Sequence, residues 1–181
     1  MIRTMDLSGQ WYMVLPTGET ATVSLPGTLD ENNIGHADVL EGDERTGAGG
    51  ELRGDGEILT RLTRLHTYEG PAYFHRTFDI GAPAERRLFL DVERSRMLTM
   101  KCNGVPVPAH VKGTVSTPYA FELTGLVKPG ENDVTLCCDN SYPGWPHDAI
   151  VYSSAATDET QTNWNGLLGR LQLRLERADF I

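Results

Sequence analysis

Arg170-Leu171-Gln172-Leu173-Arg174-Leu175-Glu176 carries a leucine at every second position and a charged or amide side chain between. Successive side chains of an extended chain point to opposite faces, so this stretch has one apolar and one polar face and predicts a half-buried β-strand. The same test applied upstream finds Leu88, Leu90 and Val92 alternating with Arg87, Phe89, Asp91 and Glu93, followed by a second run over Met97 to Cys102. Asn103-Gly104 then supplies the two residues that tolerate φ > 0 in a type I′ turn, which predicts a hairpin.

Further out, Tyr73 to Ile80 aligns Phe74, Phe78 and Ile80, and Tyr119 to Leu123 aligns Tyr119, Phe121 and Leu123. After the turn Lys128-Pro129-Gly130, Val134, Leu136 and Cys138 alternate with Thr135, Cys137 and Asp139. Trp11 to Leu15, Thr22 to Leu25 and Ile58 to Leu65 are further strand candidates. No segment sustains the i, i+3, i+4, i+7 apolar pattern of a helix. Eight or nine short strands at hairpin-like spacing predict an all-β fold, two packed antiparallel sheets forming a β-sandwich or jelly roll.

Composition agrees. The 181 residues suit one domain, and no internal repeat or boundary divides them. Glycine (19) and proline (10) make up about 16% of the chain against about 12% of average usage, a turn-rich excess. With 39% hydrophobic and 23% charged residues the chain can build a core. Its net charge of −9 disfavours nucleic acid and anionic membrane surfaces as partners. No stretch approaches a membrane span and Met1 to Leu7 lacks a signal h-region, so a cytoplasmic location is expected if Met1 is the native start. Cys102, Cys137 and Cys138 are too few for a disulfide framework and are expected to be reduced and mostly buried.

Two segments interrupt the strand pattern. Gly35 to Gly56 holds seven glycines and reads as a solvated insertion or a working loop. Ser141 to Asn165 carries Tyr142, Trp145, His147, Tyr152, Asp158, Gln161, Asn163, Trp164 and Asn165. Sugars present hydroxyls that suit planar amide and carboxylate partners, and apolar C–H faces that lie on aromatic rings. Asp158 to Asn165 offers both kinds of group within eight residues; the alternative is that Trp164 is core and that the asparagines fix turns.

Catalytic signatures are missing. Glycoside hydrolysis needs two carboxyl groups at a set separation, and Asp91, Glu93 and Glu122 fall on the polar faces of their strands, where they are expected to be solvated. His36, His66, His75, His110 and His147 show no metal-ligand spacing, and neither a GxSxG elbow nor a P-loop is present, so no metal or cofactor is expected.

In order along the chain, Leu7-Ser8-Gly9-Gln10-Trp11, Leu25-Pro26-Gly27-Thr28, Gly70-Pro71-Ala72-Tyr73-Phe74-His75-Arg76-Thr77-Phe78, Leu88 to Glu93, Asn103-Gly104, Phe121 to Thr124, Pro129 to Asn132 with Asp139-Asn140, and Thr160 to Gly169 resemble the amino-terminal part of glycoside hydrolase family 2, the β-galactosidase and β-glucuronidase group. The resemblance spans nearly the whole chain except the glycine-rich loop. It implies a jelly roll of the galactose-binding-domain type, followed in such enzymes by an immunoglobulin-like domain and a TIM barrel that holds both catalytic glutamates. It further implies that this chain alone is not catalytic, that a carbohydrate (a β-glycoside, galactoside by default) and the barrel are its partners, and that the last loop reaches the barrel's active site. The family places a sugar-contacting aspartate six residues before the glycine that here is Gly166; Thr160 stands there and Asp158 lies two residues earlier. The residues expected to face the sugar are therefore Asp158, Thr160, Asn163, Trp164 and Asn165. Two other roles stay open on the residues alone: a free-standing lectin-like module, and a packing domain in which Trp11 and Trp145 lie at an interface.

Overall fold

A computed structural model of the chain describes residues 3–37, 65–81, 86–113, 117–146 and 163–177. Among these it forms fourteen strands: β1 (Arg3–Asp6), β2 (Gly9–Val14), β3 (Thr20–Leu25), β4 (Gly27–Thr28), β5 (His36–Ala37), β6 (His66–Thr67), β7 (Pro71–Ile80), β8 (Arg86–Ser95), β9 (Met97–Cys102), β10 (Val105–Val107), β11 (Ala109–Val111), β12 (Tyr119–Glu122), β13 (Gly130–Asp139) and β14 (Gly166–Arg177). The fold is all-β and antiparallel. The first sheet has the order β1-β14-β8-β12-β11 with β4 on the end of β14, the second β10-β9-β13-β7-β2-β3, and β5 and β6 make a small separate pair. The added strands are short ones of two to four residues, too short to show alternation.

The stretch that predicts the fold also builds it. Leu171, Leu173 and Leu175 of β14 sit directly across from Val92, Leu90 and Leu88 of β8, so two apolar rows pair at the centre of the first sheet. Phe74, Phe78 and Ile80 of β7, Leu136 and Cys138 of β13, and Trp11 and Met13 of β2 face them from the second sheet and close one core. Each fully buried leucine or phenylalanine contributes about 1.5–3 kcal/mol relative to exposure, so the facing rows dominate cohesion. Asn103 and Gly104 have φ of 49° and 76°, the type I′ geometry, and Cys102 pairs with Val105 across them. All three cysteines are free; Cys102 and Cys138 are buried, and burial pushes the Cys138 thiol up to about 12.

Leu65 is an exposed bend residue; the remainder of the expected strand Ile58 to Leu65, and most of the Gly35 to Gly56 segment, lie outside the described residues. Asp91, Glu93 and Glu122 do occupy outer faces but are not simply solvated. Arg174 holds Asp91 at 2.6 and 3.0 Å, Arg170 holds Glu93 at 3.0 Å, and Arg87 grips Glu122 at 2.9 and 2.8 Å. The pairing between neighbouring strands sets arginine beside carboxylate, which sequence spacing alone does not display.

Candidate functional site

One end of the sandwich gathers residues far apart in sequence. Asn140, just past β13, accepts on Oδ1 from the Gly70 N–H at 2.9 Å and from Asn165 Nδ2 at 3.2 Å, and donates from Nδ2 to Tyr68 O at 2.8 Å and Asn163 O at 3.0 Å. Asn165, 3% exposed, donates from Nδ2 to Gly70 O at 2.8 Å and Cys138 O at 3.2 Å, and its carbonyl accepts from the Leu29 N–H at 2.9 Å. Asn163 donates from Nδ2 to Asn140 O at 3.0 Å. Buried polar groups are costly unless partnered, so these amides lock the strand ends in one arrangement. Gly166 completes the lock: at φ +129°, a Cβ there would lie 2.4 Å from Gly27 O, a separation only glycine permits.

Trp164 is held from below. Arg96, in the bend between β8 and β9, is fully buried; its guanidinium carbon lies 4.4 Å from the Trp164 ring centroid and its Nε donates to Trp164 O at 3.3 Å. Stacking a desolvated guanidinium on indole is worth about 2 kcal/mol, which offsets part of the cost of burying the charge and orients the ring. Trp164 itself stays half-buried, with part of its surface open at the sandwich end. Tyr142, at φ 52°, packs into the same end fully buried, and burial pushes its hydroxyl up to about 12.

Of the sequence-derived candidates, Asn163, Trp164 and Asn165 thus come together on the lock, the asparagines turned into the fold and Trp164 at its surface. Asp158 and Thr160 lie outside the described residues. Arg96, Asn140, Gly70 and Tyr68 were not among the candidates, although Asn140 at a strand end and Gly70 directly before a strand are the kind of signal that marks a fixed loop base. Glu122 offers no proton donor: the Arg87 hydrogen bonds hold it down to about 2, so it is ionised at neutral pH. Among the described residues no three His, Cys, Asp or Glu side chains are placed to hold a metal.

No protein-family model and no curated protein matches the chain. Solved structures do. The FMN-binding β-glucuronidase of Faecalibacterium prausnitzii superposes with a TM-score of 0.60 at 22% identity, covering 97% of this chain and 22% of its own. The β-glucuronidase of Dictyoglomus thermophilum gives 0.62 at 16% identity, over 97% of this chain and 28% of its own. A putative β-galactosidase of Bacteroides fragilis gives 0.59 at 15% identity, over 97% and 23%. These likenesses establish the fold. The chain has the architecture of one domain of such glycosidases and spans about a quarter of their length.

Proposed function

We propose that the chain is the sugar-binding domain of a family 2 glycoside hydrolase, acting on a β-galactoside or β-glucuronide in a pocket that a catalytic barrel of the same polypeptide completes. The observation that carries this reading is the 97% coverage of the chain by part of each of these β-glucuronidases and β-galactosidases. The end of the sandwich supports it: an indole fixed by a buried arginine, on a base of interlocked amides, is a preorganised apolar platform of the kind that pyranose C–H faces stack on. In this reading Trp164 meets the sugar, Asn163 and Asn165 set its position, and Asp158 or Thr160 supplies a polar contact to a hydroxyl. The domain contributes binding and orientation, and the two carboxyl groups that cleave the bond reside in the barrel.

The coding sequence downstream of Ile181 is the direct test. A reading frame that continues into a barrel is expected, and a stop codon with no barrel encoded would defeat the proposal. Assays with aryl β-galactosides and aryl β-glucuronides on that longer polypeptide then separate the two substrate classes.

A further inference from the structure

The outer face of the second sheet carries a groove of about 460 Å³, lined by Gln10, Tyr12, His75, Arg76, Thr77 and Asp133. That size falls within the roughly 300–1,000 Å³ of small-molecule clefts. Its lining comes from three neighbouring strands: Tyr12 of β2 pairs with His75 of β7, and Thr77 of β7 pairs with Asp133 of β13. Adjacent strands lie about 4.8 Å apart, so the three span about 10 Å, the length of two linked pyranose rings.

The polar groups are of two kinds. Some are held by a cross-strand neighbour on the same face: Thr135 Oγ1 lies 2.8 Å from His75 Nδ1, and Gln10 donates to Ser24 Oγ at 2.8 Å, whereas Arg76 contributes main chain only, its guanidinium lying on the core side of the sheet over Trp11. Others are uncommitted: the Asp133 carboxylate accepts no hydrogen bond among the described residues, and Tyr12 is 51% exposed. The Tyr12 and His75 rings stand 6.1 Å apart at 43°, a shallow V open to solvent.

We propose that this groove is a second saccharide-binding site, taking a neutral disaccharide-sized ligand with one ring against Tyr12 and its hydroxyls shared among Asp133, Thr77 and Gln10. The proposal does not depend on the role assigned to Trp164. An inclined aromatic pair beside planar amide and carboxylate groups matches a sugar's alternating C–H and O–H faces. Asp133 repels an anionic ligand, which suits a neutral one, and burial holds His75 below the usual imidazole range, so the ring adds no charge at neutral pH. A protein partner needs about 800 Å² per side with an aromatic or apolar centre, whereas Tyr12 and Tyr73 are the exposed large hydrophobics on this sheet's groove face.

Backbone-amide NMR of the 181-residue chain, titrated with lactose, cellobiose and methyl β-D-glucopyranosiduronate to about 50 mM, tests it in the range where single-groove sugar affinities fall. Saturable shifts on residues 10–12, 75–77 and 133–134 with a neutral disaccharide are expected. Tyr12→Ala and Asp133→Asn should each weaken binding at least about tenfold. Absence of saturation at these amides, preference for the charged glucuronide, insensitivity to both substitutions, or concentration-dependent shifts there without sugar would each overturn it. Shifts confined to residues 163–165 would defeat this groove while favouring the Trp164 site.

Discussion

The locked end of the sandwich and the open face of its second sheet use similar side chains for opposite purposes. At the end, Asn140, Asn163 and Asn165 are tied to main chain just before β7, at β13 and at the Leu29 turn, and their removal would strand buried partners. On the face, Tyr12, Thr77 and Asp133 keep polar capacity directed to solvent. The outer face of the first sheet lies between these limits: its carboxylates are exposed in part but each is held by an arginine, and the guanidinium groups of Arg87 and Arg174 cover Phe89 at 4.8 and 4.7 Å. Amides committed inside the fold build a rigid support, and uncommitted polar groups beside an aromatic ring are available to a ligand.

Substitutions can break this ordering. Gly166→Ala should be the most severe, on the order of 3–5 kcal/mol in denaturant titration, because a Cβ at positive φ meets Gly27 main chain. A loss below about 1 kcal/mol would mean that the strand end is not locked. Asn140→Ala should cost about 2–4 kcal/mol by leaving the Gly70 N–H without its acceptor and the Tyr68 and Asn163 carbonyls without their donor; urea midpoints measure it.

On the first sheet's face the effect is smaller and depends on pH. Glu122 is lowered from its ordinary 4.5 to about 2 by Arg87, so its contribution is present above about pH 4.5 and is lost as pH falls through 2. With its side chain 32% exposed, solvent screening reduces this to about 1 kcal/mol. Stability measured at pH 6 and at about pH 1.5 should therefore show the parent more stable than Glu122→Gln at the higher pH and the two converging at the lower. Tyr12→Ala on the open face should change stability by no more than about 0.5 kcal/mol, as expected where a side chain supports nothing beneath it.

Much of this was legible from residue order. The alternation at Leu171, Leu173 and Leu175 identifies a strand whose apolar row faces β8, and Asn103-Gly104 identifies the hairpin because only a few residues accept two successive positive φ values. The two-residue strands β4, β5 and β6 carry no periodicity to read. Phe89 follows the polar parity of its strand yet is buried, because Arg87 and Arg174 cover it from neighbouring positions in space. Arg96 and Asn140 were hidden for the same reason: their importance arises from contacts 68 and 70 residues away along the chain, which topology creates and local pattern does not.

The central claim is that Trp164, presented by its buried arginine, forms part of a sugar pocket. Kinetics of Trp164→Ala in the proposed barrel-containing polypeptide, with an aryl β-glycoside as substrate, test it most directly. The account predicts a fall in kcat/KM of about 10- to 100-fold with a melting temperature within a few degrees of the parent. An unchanged kcat/KM would contradict it.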